Sequence, residues 1–86
     1  MAVADWMSNF RSKIFMKNNI KVQRAIHNLT QEELANKIGV SRQTVNAIEA
    51  DKYLPSLGLA FKIVRLFKLK VEEVFFYEED KYEKDN

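Results

Sequence analysis

The stretch TQEELANKIGVSRQTVNAIE, Thr30 to Glu49, decides how this chain is read. It opens on Thr30, with Glu33 three residues later. That is the spacing of a capping box: the threonine hydroxyl accepts from the Glu33 amide, and the Glu33 carboxylate reaches back to the Thr30 amide. Leu34, Ala35 and Ile38 follow at helical spacing as a buried face. Gly39 stands where a left-handed residue ends a helix, and Ser41 is a strong N-cap for the next one. The stretch predicts two short helices joined by a tight turn. Ala35 is small enough to let them cross closely.

The second of these helices has two unlike faces. Advancing 100° per residue from Ser41 puts Thr44, Val45 and Ile48 on one edge, which packs inward. Arg42, Gln43 and Asn46 share the opposite face with Ala47 and Ala50. A solvated helix more often carries Glu and Lys there, in pairs four residues apart. Arg, Gln and Asn are the side chains that make bidentate contacts to guanine and adenine edges in a major groove. The two alanines leave no bulk, so a backbone can come close, and their methyls can touch thymine. The competing reading is a plain amphipathic surface helix.

The flanks extend the helical pattern. Residues 18–28 place Ile20, Val22, Ala25 and Ile26 at mostly helical spacings. Ser56 caps a fourth helix, LGLAFKIVRLF, whose Leu59, Ala60, Ile63, Val64 and Phe67 face inward. Gly58 weakens it near its start. Val71 to Phe75 predicts a fifth, short helix. The expected core is Ile26, Leu34, Ile38, Val45, Ile48, Leu59, Ile63 and Val74. The expected layout is an N-terminal extension over 1–15, a compact domain over 16–77 and an acidic tail over 78–86. Trp6, Phe10 and Phe15 give the extension an amphipathic helical reading.

Composition bounds the function. At 86 residues the chain is one small domain, and domains of this size are often marginal alone. There are no cysteines, which excludes disulfides, cysteine-based zinc sites and thiol catalysis. No apolar run reaches the length of a membrane span, and a cytoplasmic location is expected. The net charge of +2 hides an asymmetry. Residues 1–71 hold twelve Lys/Arg against five Asp/Glu, a balance of +7, and residues 72–86 carry −5. A basic body points to a polyanionic partner. His27 is the only histidine, and Glu32-Glu33 and Glu72-Glu73 sit at helix starts, where the macrodipole favours acids. Neither is a catalytic constellation, so no enzyme, cofactor or metal is expected.

With these residues in place, Gln31, Ala35, Gly39, Val45 and Ile48 resemble the defining positions of the helix-turn-helix of the lambda-repressor, Cro and Xre-like family of transcription regulators. The resemblance covers about residues 17–77, and especially suggests the short members that hold a DNA-binding domain and little else. It implies an all-α, five-helix fold, with a small antiparallel sheet where Asn18 to Ile20 meets Val74 to Tyr77. It implies a cytoplasmic, nucleoid-associated homodimer that binds double-stranded DNA at a near-palindromic operator, most often as a repressor. Carried over by position, Arg42, Gln43, Asn46 and Ala47 lie at base-reading positions. Gln31, Thr44, Lys52, Tyr53 and Lys37 lie at phosphate-binding ones. Arg24 and Glu49 would form a structural ion pair. Leu66, Phe67, Leu69 and Phe75 are the expected dimer interface. Phe67-Lys68-Leu69-Lys70 departs from the family, which commonly has a glycine and then a Ser or Thr cap there. The alternative function is an antitoxin-like protein that uses the same fold to hold a protein partner.

Overall fold

A computed structural model describes residues 14–79 of the chain. In order these are β1 (Ile14–Asn18), α1 (Ile20–Ile26), α2 (Gln31–Ile38), α3 (Arg42–Glu49), α4 (Leu57–Phe67), α5 (Val71–Val74) and β2 (Phe75–Glu79). The fold is five helices closed by a two-stranded antiparallel sheet. The expected reading of Trp6 and Phe10 falls outside the described residues. Phe15 lies in β1, opposite Glu78, and not in a helix.

Local chemistry explains where the helices start. The Thr30 hydroxyl accepts from the Glu33 amide at 3.0 Å, and the Glu33 carboxylate accepts from the Thr30 amide at 2.9 Å, so the capping box is complete. Ser41 and Ser56 accept from the amides of Thr44 and Leu59, each at 3.1 Å. These caps satisfy amides that a helix leaves without a carbonyl partner.

Four of the five helix ends share one solution. Asn28, Gly39, Asp51 and Lys68 all have positive φ. The next residue's amide bonds back five positions in each case: Leu29 to Arg24, Val40 to Ala35, Lys52 to Ala47 and Leu69 to Val64. That bond is the mark of a Schellman ending. Lys62 Nζ adds a donor to the Ile38 carbonyl at 3.4 Å, at the end of α2.

The sheet sits closer to the ends of the chain than expected. Asn18 pairs with Phe75 and Ile14 with Glu79. Ile20 opens α1 because the Asn18 side-chain carbonyl accepts its amide at 3.1 Å. The Asn19 amide then donates to the Val74 carbonyl at 3.0 Å, tying the start of α1 to the end of α5.

The core is Ile20, Leu34, Ala35, Ile38, Val45, Ile48, Ala60, Ile63, Val64, Phe67, Val74 and Phe75, with Leu59 half-buried against it. One expected core residue is wrong. Ile26 is 64% exposed. In the seven-residue α1 only Ile20 is buried. Arg24, one turn on, takes the inward slot beside it, and two residues later Ile26 falls on the far side with Val22. No helix among the described residues is long and apolar enough to cross a membrane.

Candidate nucleic-acid interface

The α2–α3 pair builds the surface of interest. Ala35 is buried where the helices meet, and Gly39 turns the chain with φ +78°. A larger residue at position 35 would hold the helices apart. A β-carbon at position 39 would meet no hard wall, but it would strain that backbone conformation. The turn aims α3 so that Val45 and Ile48 face the core while Arg42, Gln43 and Asn46 are exposed.

Gln31, from the first turn of α2, joins Arg42, Gln43 and Asn46 around a concave pocket of about 290 Å³. Three of these four were expected to read bases and one to hold phosphate, and the fold brings all four together. Ala47 is half-buried beside them and Ala50 is exposed. Thr44 is half-buried and its hydroxyl is 3.0 Å from that of Ser41. Lys37, Lys52 and Tyr53 are exposed, at the end of α2 and just beyond α3.

Behind this face lies the ion pair. Arg24 Nε donates to Glu49 Oε2 at 2.6 Å and Nη2 donates to Oε1 at 3.1 Å, a two-pronged fork. Arg24 Nη1 also donates to the Leu29 carbonyl at 2.9 Å. The side chains are 15% and 7% exposed. Hydrogen bonding to Glu49 holds the Arg24 pKa above its ordinary value against the effect of burial, and the carboxylate's charge adds to the rise. The pair ties α1 to the end of α3.

Two features were missed in the sequence. Gln31 does not point freely outward: its Nε2 donates to Glu49 Oε1 at 3.0 Å and to Asn46 Oδ1 at 3.2 Å. Asn18 clamps the far end of α3, donating to the Ile48 carbonyl at 2.9 Å and to Asp51 Oδ1 at 3.3 Å. An Asn just ahead of a helix start was a legible cap signal for α1, but nothing local told of its reach to α3.

Of the expected dimer residues, Phe67 and Phe75 are 3% and 6% exposed, packed inside their own protomer. A side chain already enclosed there has no surface for a second copy. Leu66 and Leu69 are half-buried. A groove of about 460 Å³ runs beside Leu69, between Phe61 on α4 and Val71 on α5.

Known proteins resemble the chain over this same region. A family model described as Helix-turn-helix matches residues 20–74. The chain is 63% identical over 65 residues to a protein of Methanocaldococcus jannaschii named an uncharacterized HTH-type transcriptional regulator, spanning 76% of this chain and 98% of that one. It is 51% identical over 65 residues to YgzD of Bacillus subtilis, which has the same designation, again over 76% and 98%. The crystal structure of a candidate DNA-binding protein from Bacteroides fragilis superposes with a TM-score of 0.64 at 30% identity, covering 70% of this chain and 97% of that one.

Proposed function

Because this chain belongs to the helix-turn-helix family, we propose that it is a sequence-specific double-stranded DNA-binding transcriptional regulator, acting as a homodimer that represses from a near-palindromic operator. The observation that carries the reading is the outward face of α3. Arg42, Gln43 and Asn46 project there with Gln31 around one concavity, and the neighbouring Ala47 and Ala50 leave room for close approach. α3 enters the major groove. Arg42 and Gln43 read base edges, and Asn46 reads a further one. Ala47 offers a methyl and no hydrogen bond, so its readout is apolar.

The surroundings supply backbone contacts. The start of α2, with its helix dipole, faces a phosphate, and Thr44, Lys37, Lys52 and Tyr53 lie around the face to hold others. Such contacts fix the register without reading sequence. Two protomers would place two copies of α3 about one turn of DNA apart, ~34 Å. The groove between Phe61 and Val71 is the surface we assign to the dimer. Arg65, Lys70 and Glu72 also line it. A two-fold axis would let Arg65 or Lys70 of one copy meet Glu72 of the other.

The test is selection of random duplex DNA on the purified 86-residue protein, at moderate salt and with random competitor, followed by sequencing. An enriched palindrome with half-sites one turn apart supports the reading. A bound pool without a motif, or no binding, defeats it and turns attention to a protein partner.

A further inference from the structure

We infer that Glu49 and Gln31 set the direction in which Asn46 presents its amide to DNA, making Gln31 a specificity-positioning residue and not a phosphate contact. The inference rests on the base-reading role proposed above. It starts from the one group in the chain of contacts whose polarity is not open to choice. Glu49 is a carboxylate held by the Arg24 fork, and both its oxygens only accept. The Gln31 atom 3.0 Å from Glu49 Oε1 is therefore the donating Nε2. The same nitrogen lies 3.2 Å from Asn46, so the Asn46 atom there is the accepting Oδ1. Turning the Asn46 amide over would set donor against donor. Turning Gln31 over would set its carbonyl against the carboxylate.

Two consequences follow for recognition. The Gln31 amide nitrogen makes two donor contacts within the protein, and its Oε1 is an acceptor that a phosphate oxygen repels. Asn46 keeps Nδ2, which has no hydrogen-bond partner among the described residues, and offers it to the groove. An asparagine free to rotate matches a donor or an acceptor. Here Asn46 is biased to donate, and so to favour guanine O6 or N7, adenine N7 or thymine O4 over the exocyclic amine of cytosine. A structural ion pair thus reaches the base-reading surface through one glutamine.

The experiment is the same duplex selection, run in parallel on the wild-type chain, Gln31→Met, Asn46→Ala and the double variant, with thermal melting and the affinity for random duplex for each. Methionine keeps the length and helix propensity of Gln31 but cannot donate. The expected result is that Gln31→Met flattens preference at one base pair by at least about fivefold and leaves the other positions and the affinity for random duplex unchanged. That base pair is the one whose preference Asn46→Ala abolishes, and the double variant changes it no further. An unaltered Gln31→Met motif beside a clear wild-type motif overturns the inference alone. So does an equal loss of affinity on selected and random duplexes, the signature of a lost phosphate contact. A wild-type pool with no motif overturns the base-reading proposal itself, and this inference with it.

Discussion

Glu49 serves two ends at once. It satisfies Arg24 in a nearly enclosed site, and it anchors Gln31 at the edge of the candidate interface. Glu49→Ala leaves the guanidinium with the Leu29 carbonyl but no counter-charge. The cost of stranding a largely buried cation is about 3 kcal/mol or more, and thermal unfolding of the variant is expected to start more than about 10 °C lower. An unmoved Tm would mean that the pair contributes nothing to stability. The raised pKa of Arg24 means that its contribution is lost as the pH rises through and beyond the usual arginine range. Arg42 differs: it is exposed and makes no ion pair among the described residues. Arg42→Ala is expected to weaken the selected site by about 1–3 kcal/mol and to relax one base pair, with no change in melting. Equal loss on selected and random DNA would make it a backbone contact.

At the level of the element, caps carried most of the legible information. Thr30–Glu33, Ser41, Ser56 and Gly39 each behave as their local chemistry dictates, because a cap is settled within four or five residues. The end of α4 is the exception, where Lys68 occupies the left-handed region with φ +60°. Asn28 and Asp51 have short polar side chains that tolerate this conformation, and lysine does not. The strain is about 1–2 kcal/mol, and glycine loses about 0.5–1 kcal/mol of it to backbone entropy. Lys68→Gly is therefore expected to stabilise the fold by about 0.5–1 kcal/mol in urea unfolding; destabilisation would show that the lysine side chain makes a compensating contact. At α5 no Ser or Thr caps the helix; the Glu73 carboxylate accepts from the Lys70 amide at 2.7 Å, the reciprocal half of a capping box, and the Glu73 amide donates to the Lys70 carbonyl at 2.9 Å. Near the start of α4, an added β-carbon at Gly58 meets nothing within 4 Å. Gly58→Ala should gain about 0.5–1 kcal/mol, and a loss would reveal a strain that open space does not predict.

For the whole molecule, the question is which apolar surface the protomer leaves uncovered. Phe61 is 46% exposed beside the groove to Val71, and Leu57, one turn before it, is 70% exposed. With Phe67 and Phe75 withdrawn into the core, this stripe carries the dimer proposal. Sedimentation velocity is expected to show a dimer for the wild-type chain and a monomer for Phe61→Glu, with far-UV circular dichroism unchanged. A wild-type monomer at tens of micromolar, or a Phe61→Glu dimer, would remove this face from consideration.

The amino-acid sequence by itself determined the helix-turn-helix, its caps and the outward set of Arg42, Gln43 and Asn46. Those features rest on spacing and on hydrogen bonds between near neighbours. Only the tertiary structure decided which way Ile26 and Phe75 point. It alone brought Asn18 to the Ile48 carbonyl and joined Gln31 to Asn46 and Glu49. Ile26 was misread because its helix is too short for apolar spacing to outvote Arg24, which must turn inward to meet Glu49. A periodicity records which residues share a face. What lies opposite that face depends on partners 15 to 30 positions away, and no local pattern encodes them.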